Sequence, residues 1–306
     1  MLLLKRTKMN RKKTLFFVGF IFTTIYIASC ERNDEPAHPN YTITFTTTKS
    51  VGETVVLGIG AENTDQADVW IDLNNNGKKD GNENPQFASA PNSILFGHYV
   101  IQNKKITIHG KVDQFYCEAN NIVSLDVGSN PYLIFLQCGF NQLERLDVSN
   151  NAELNKMECQ VNRLTALDIS KNLRLEFLNC TDNKLITLNL GEAPLRKLSC
   201  GSNQLQSLDI SKNIGLMELR CVANKIKTLD FSQNPALEFL AYNNNAINAL
   251  ATTALMNSLP QRLSTNKGVI VVYQTPDLNA VPSSADISVA NVKNWVVYAD
   301  NNVMQP

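Results

Sequence analysis

Six cysteines, Cys117, Cys138, Cys159, Cys180, Cys200 and Cys221, recur at intervals of 21, 21, 21, 20 and 21 residues. Each stands in the same frame, roughly Leu-x-x-Leu-x-Cys-x-x-Asn-x-Leu-x-x-Leu-Asp. An asparagine column keeps step at Asn120, Asn141, Asn162, Asn183, Asn203, Asn224 and Asn245. A leucine column follows at Leu125, Leu146, Leu167, Leu188, Leu208, Leu229 and Leu250. One such turn is too short to bury its own apolar side, so the turns must stack and share a core.

A fixed period of this length with this leucine frame predicts an α/β leucine-rich repeat solenoid with a parallel concave sheet. Each repeat gives one short strand, as in Leu175-Glu176-Phe177-Leu178-Asn179-Cys180. Alternation sends Leu178 and Cys180 inward and Phe177, Asn179 and Thr181 outward. Asn183 and its equivalents sit where the chain leaves the strand, and a buried amide there satisfies backbone groups that the bend leaves unpaired. A second segment, as in Leu167-Asp168-Ile169-Ser170, closes the convex side. The turn at Asn189-Leu190-Gly191-Glu192-Ala193-Pro194 is one residue short, with Pro194 in place of the usual asparagine-led bend, and reads as a local kink.

A cysteine column invites a metal or disulfide reading. The chain has no Cys-x-x-Cys pair and only three histidines, His38, His98 and His109, whereas zinc sites use closely spaced ligand pairs. Stacked neighbours lie ~4.8 Å apart, but their Cβ vectors run parallel, a poor disulfide geometry. The column therefore reads as small buried hydrophobes with inert thiols. Tyr242 takes the same place in the last repeat, as packing space would allow.

The chain starts with Lys5, Arg6, Lys8, Arg11, Lys12 and Lys13, then an apolar stretch from Leu15 to Ala28. That is the pattern of a secretory signal, too short for a membrane span. It ends Ile27-Ala28-Ser29-Cys30, which looks like the bacterial lipobox, and by that resemblance Cys30 becomes the lipidated first residue. Glu31, Asp34 and Glu35 follow at once, similar to surface-export signals of Bacteroides-type lipoproteins. Removing the signal takes six basic and no acidic residues. The mature chain then has 28 − 6 = 22 basic against 28 acidic residues, a net charge of −6. That balance argues against nucleic acid, whose binding needs basic patches.

The expected organisation is a signal peptide over 1–29, a tether over 30–40, a small all-β domain over 41–103, repeats over 104–250 and an α/β cap over 251–306. The β domain rests on alternating stretches at Tyr41–Thr48, Glu53–Ile59 and Asp68–Leu73. Ile106-Thr107-Ile108-His109-Gly110 reads as a first, irregular rung. The cap reads as a helix at Thr252–Leu259, a strand at Val269–Tyr273, a helix at Ser284–Asn294 and a strand at Trp295–Tyr298. Trp295 is expected to bury against the last rung.

The repeat, with its Leu-Asp-[Ile/Val]-Ser-x-Asn continuation, resembles the internalin-like leucine-rich repeat lipoproteins of Bacteroides-type bacteria. The lipobox, the segment Val69-Trp-Ile-Asp-Leu-Asn-Asn-Asn-Gly77 and the tail Lys293-Asn-Trp-Val-Val297 are similar to that family too. The resemblance implies a non-catalytic interaction protein on the outer membrane, anchored by lipid and exposed at the cell surface.

One segment fits a metal pattern. Asp72, Asn74, Asn76, Gly77, Lys78, Asp80 and Glu83 match the twelve-residue calcium loop, with Asp at position 1, Asn at 3 and 5, Gly at 6 and Glu at 12. Side-chain oxygens and the Lys78 carbonyl would ligate a weak site of about 10⁻⁴–10⁻³ M. Against this, Val69-Trp70-Ile71 before it is a strand, and Lys78 and Lys79 oppose the ion. The competing reading is a hairpin loop rich in asparagine and glycine.

No residue set resembles a nucleophile with its base, and no glycine loop cradles a phosphate. The register instead names a concave surface. Outward positions run Gln114, Phe135, Lys156, Phe177, Lys197, Glu218 and Phe239 in one column. The next column holds Tyr116, Gln137, Glu158, Asn179, Ser199, Arg220 and Ala241. Leu136, Leu178 and Leu240 fill the inside, so the three phenylalanines lack a core role. Tyr116, Phe135, Lys156, Phe177, Arg220 and Phe239 are thus the candidate partner-binding residues. A protein partner is the first expectation. A glycan ligand and a structural surface-layer role are the alternatives.

Overall fold

The computed structural model describes residues 40–88, 93–272, 281–299 and 302–304. The expected signal peptide, Cys30 and nearly all of the tether lie outside the described residues. Tyr41–Pro306 forms one compact unit.

Ten short strands open this unit: β1 Thr42–Thr47, β2 Thr54–Gly60, β3 Trp70–Asp72, β4 Phe96–Val100, β5 Lys105–His109, β6 Gln114–Tyr116, β7 Ile122–Asp126, β8 Phe135–Gln137, β9 Lys156–Glu158 and β10 Ala166–Asp168. The repeats continue with β11 Phe177–Asn179, β12 Thr187–Asn189, β13 Lys197–Ser199, β14 Glu218–Arg220 and β15 Phe239–Ala241. The C-terminal part adds helix α1 Ala249–Ser258, β16 Gly268–Val272, helix α2 Ser284–Val292, β17 Trp295–Ala299 and β18 Asn302–Val303. One sheet runs β18-β17-β16-β15-β14-β13-β11-β9-β8-β6-β2-β4. It is parallel from β6 to β17, with successive rungs in step, so that Leu136, Met157, Leu178, Leu198, Leu219 and Leu240 stand in one inward column. Those residues and all six cysteines of the column are fully buried.

Two asparagine ladders hold the bends. Asn162 shows the first: its Nδ2 donates to the carbonyls of Cys138 (3.1 Å), Cys159 (3.1 Å) and Gln160 (3.4 Å), while its Oδ1 accepts from the Leu143 N–H at 3.0 Å. Asn183, Asn203 and Asn224 repeat that pattern. The residue just before each rung's asparagine is left-handed: Ala119, Phe140, Val161, Asp182, Ser202, Ala223 and Asn244 have φ between 50° and 56°. That conformation costs an L-residue about 1–2 kcal/mol. Three or four hydrogen bonds of about 0.5–1.5 kcal/mol each outweigh it, so the strain persists at every turn. A second ladder, Asn151, Asn172 and Asn234, spans the opposite bend by donating to two carbonyls of the preceding rung. At the short turn Ala193 stands in the ladder position, so one step is missing, and Asn213 reaches only the Ala193 carbonyl, at 2.8 Å.

The N-terminal segment differs from the expected separate β domain over 41–103. β1 pairs antiparallel with β5 and with β7, the convex strand of the first repeat. β2 pairs antiparallel with β6, the concave strand of the same repeat, and with β4 beyond it. Asn120 is the ladder's first step and grips β2 directly, through the Val56 carbonyl at 2.7 Å and the Val56 N–H at 2.9 Å. The segment is therefore continuous with both sides of the solenoid. The stretch at Ile106–Gly110, expected as an irregular rung, lies up to His109 in β5, between β1 and β3. The reason is edge satisfaction. An uncovered first rung would expose a row of unpaired backbone groups on each face, and two consecutive strands, turning at Gly52 (φ 96°), cover both.

The other end is closed in the same manner. β16 extends the sheet in parallel from β15, and β17 extends it from β16. Trp295 lies over Gly268 of β16, one strand beyond the last repeat. A Cβ on Gly268 would sit 2.4 Å from the indole, so the ring needs a glycine there. Asn248 and Ser283 cap α1 and α2, the latter as a reciprocal capping box with Asp286.

Candidate interaction surface

The concave sheet brings most of the expected set together. Tyr116 and Phe135 meet edge to face, with centroids 4.6 Å apart at 63°. Lys156 places its Nζ 4.8 Å from the Phe135 ring and 5.0 Å from the Phe177 ring, bridging rungs that flank its own. Glu158 holds the same ammonium at 2.7 Å. Arg220 and Phe239 form a second cluster, 4.2 Å from guanidinium carbon to ring centroid. Glu218 joins Arg220 (2.5 Å) and Lys197 (3.4 Å). Burial alone would raise the Glu218 carboxyl, but Arg220 and then Lys197 outweigh it and hold it below the usual range. It therefore stays charged at neutral pH and keeps both cations in place. Burial, then Glu158 and Asp113, push the Tyr116 phenol up, so it remains a neutral donor, to Gln114 Oε1 at 3.2 Å.

The structure corrects one expectation about this surface. Phe135 keeps only 9 % exposure, because Tyr116 and Lys156 cover it. Phe177 and Phe239 stay half-buried. The strip also runs further than the repeat register shows. Phe96 on β4 is 53 % exposed and contacts Tyr116 edge to face, 5.6 Å away at 75°. Gly58 of β2 lies between the two in register. A Cβ there would come within 3.0 Å of the Phe96 ring and 3.2 Å of Tyr116 Cβ. The missing side chain is what lets the rings meet. Alternation in Phe96-Gly97-His98-Tyr99-Val100 was the available signal for β4.

The 72–83 loop does not present a calcium cage. Asp72 turns its two carboxylate oxygens to the N–H groups of Asn76 (3.0 Å) and Gly77 (2.9 Å). Glu83 does the same for Leu73 (2.9 Å) and Asp80 (2.7 Å). Asn74 and Asn76 spend their amide oxygens on the Asn76 and Lys78 N–H groups and direct their NH₂ groups at Asp80 Oδ2, at 2.7 and 3.0 Å. A calcium ion needs oxygens converging there, whereas in this arrangement Asn74 and Asn76 offer nitrogens to Asp80. Among the described residues no three His, Cys, Asp or Glu side chains are grouped to hold a metal. Melting temperatures of residues 31–306 in millimolar calcium and in chelator should agree within about 1 °C. A clear rise with calcium would mean that the two amides reverse.

The cysteine column is chemically quiet. Burial pushes the Cys159 and Cys200 thiols up to about 12, and the other four also rise. All six are free and buried, so they pack as small hydrophobes.

Period, ladders and parallel concave sheet make this a leucine-rich repeat solenoid. Similar solved structures include the functional domain of InlJ from Listeria monocytogenes, described as including a cysteine ladder. It is 27% identical over 61% of this chain and 38% of that one, with a TM-score of 0.49. A leucine-rich repeat protein of Leptospira interrogans is 21% identical over 60% of this chain and 48% of its own, with a TM-score of 0.46. The leucine-rich repeat domain of a Shigella effector is 22% identical over 61% and 81%, also with a TM-score of 0.46. The chain thus spans less than half the length of the first two. No protein-family model matches it, and no curated protein matches it.

Proposed function

We propose that this protein is a non-catalytic lipoprotein of the bacterial outer membrane, exposed at the cell surface, which binds a protein partner through its concave face. The observation that carries the binding reading is the strip Phe96, Tyr116, Phe135, Lys156 and Phe177, in which each side chain contacts the next. Aromatic and cationic residues that hold one another in place lose little entropy on binding, and such residues tend to anchor protein interfaces.

The test is a proteomic pull-down with residues 31–306 beside a glycan array. Phe135 is nearly buried, so the diagnostic variant leaves it alone and combines Lys156→Ala with Phe177→Ala. Affinity for the captured protein should fall by more than about 1 kcal/mol, a typical anchor effect. Unchanged affinity would remove the concave strip from the reading, and glycan hits without a protein partner would replace the partner class.

The anchor rests on the lipobox-like Ile27-Ala28-Ser29-Cys30. Cys30→Ala should abolish lipid labelling and release the protein from the membrane fraction. Retention at the membrane would mean that the apolar stretch before it stays in place as the anchor.

A further inference from the structure

A cleft of about 520 Å³ opens beside the starts of β6 and β8, formed by four segments that are separate in sequence. Asp113 is one of its lining residues and is half-buried. The Asp113 N–H donates to the Gly60 carbonyl at 3.0 Å, and its carbonyl accepts from Ile134 (2.7 Å) and Phe135 (3.1 Å). The backbone is thereby fixed between β2 and β8, yet side-chain Oδ1 is buried without a hydrogen-bond partner. That oxygen lies 2.8 Å from where a Cβ on Gly60 would stand, so the glycine makes its room. Burial, then the negative charge of Glu62, holds the Asp113 carboxyl above its ordinary range.

The rest of the lining suits a cation. Lys111 ion-pairs with Asp65 at 3.0 Å and lies 4.6 Å from the Tyr132 ring, so one wall already carries an ammonium over an aromatic face. Glu62, Asp65, Asp113 and Glu153 against Lys111 leave 4 − 1 = 3 negative charges in the lining, of which Arg174 balances one at Glu153 from outside. Tyr132 and Ile134 supply an apolar side that is 39 % and 47 % exposed. An unpartnered buried carboxylate oxygen is unfavourable until a donor reaches it. A flat cation with several N–H groups meets carboxylates and an aromatic face together.

We propose that this cleft receives an arginine side chain of a polypeptide, its guanidinium directed at Asp113 and Glu62 and its stem lying along Tyr132 and Ile134. The volume is within the ordinary range of ligand pockets and leaves space for the flanking peptide. This site neither uses nor requires the concave aromatic strip.

The test uses residues 31–306, which contain the whole compact unit Tyr41–Pro306. The probes are N-acetyl-arginine methylamide and its neutral citrulline counterpart, titrated by amide chemical shifts. The arginine probe should saturate in roughly the millimolar range expected for a single side chain, with shifts confined to the surroundings of Lys111, Asp113, Tyr132 and Ile134. Citrulline should leave them unmoved. Asp113→Asn should weaken binding at least about tenfold, the loss expected when one partner of a buried charge pair is removed. Lys111→Met should tighten it about threefold or more by removing a competing cation. Ile134→Lys, at an exposed position, should block the mouth even if Asp113→Asn fails to fold. Equal binding of citrulline, an Asp113→Asn protein that folds and binds as before, or weaker binding by Lys111→Met would overturn the proposal; the last would mark an anionic occupant. Lys156→Ala with Phe177→Ala should bind the arginine probe as the parent does, so a failure of the concave-face reading leaves this result standing.

Discussion

Asn162→Ala should destabilise the fold by about 3–6 kcal/mol, read as a drop in denaturant midpoint. The magnitude follows from what the amide leaves behind. Its Oδ1 satisfies the Leu143 N–H, and its Nδ2 serves the carbonyls of Cys138, Cys159 and Gln160. The Leu143 N–H is left unsatisfied, at about 1–3 kcal/mol. The three carbonyls lose one hydrogen bond each, at about 0.5–1.5 kcal/mol, and keep a second donor in Asn141, Asn183 and the Phe140 N–H. Asn162 is itself 8 % exposed, so water has little access to replace it. Domains of ordinary stability have only about 5–15 kcal/mol in hand, and one amide therefore accounts for much of the total. The lesion also lies in the middle of a repeat array, where cooperativity between neighbours can break. The unfolding curve should broaden or split. A shift below about 1 kcal/mol would mean that the rung relaxes to pair its own carbonyls, and that the ladder is not what holds the bend.

The second large effect is expected at the C-terminal end. Trp295→Ala should cost about 3–5 kcal/mol, as removal of a buried aromatic side chain does. The indole is 1 % exposed and donates to the Pro260 carbonyl at 2.8 Å. Gly268 faces it, with no side chain to fall into the space. Trp295→Phe should recover most of the packing and lose only the hydrogen bond. The difference between the two variants then separates cavity from polar loss. Hydrogen exchange should show protection lost first in β16 and β15 in the alanine variant. Uniform loss across the whole chain would mean that the cap and the repeats unfold as one unit.

The repeats were legible because their information is periodic. A column such as Cys138, Cys159 and Cys180 carries the same demand several times over, so one ambiguous rung is corrected by its neighbours. The N-terminal segment offers no such redundancy. β1 pairs with β5 and β7, and β2 pairs with β4 and β6. Those pairings join residues far apart in sequence, and nothing local in Tyr41–Thr48 states whether its partner is a neighbour or the first repeat. The metal-loop pattern is ambiguous for a different reason. The letter N gives a nitrogen and an oxygen equally, and Asn74 and Asn76 turn their nitrogens to Asp80. Alternation also placed Phe135 on the correct face without showing what else stands there. Its near-burial depends on Tyr116 and Lys156 together. The Asp113 cleft was not legible at all, because its walls come from four segments joined only by the fold.

The shortened turn tells where this kind of chain tolerates a change in length. Cys180 and Cys200 are 20 residues apart where the other neighbours are 21, yet Leu178 and Leu198 still pair in register. Asn203 still reaches Cys180 at 3.0 Å and accepts from Leu185 at 2.9 Å. β12 also still pairs with β10, so the missing residue is absorbed after Asn189, in the bend that closes the convex side. Strand spacing and the first ladder fix the concave half to the residue, whereas the far bend gives up one step of its own ladder and nothing else. Insertions and deletions in a lineage of such proteins should therefore gather on the back of the solenoid. The concave columns can then keep their geometry while the turn length drifts, and a binding surface is inherited intact across copies that no longer align without gaps.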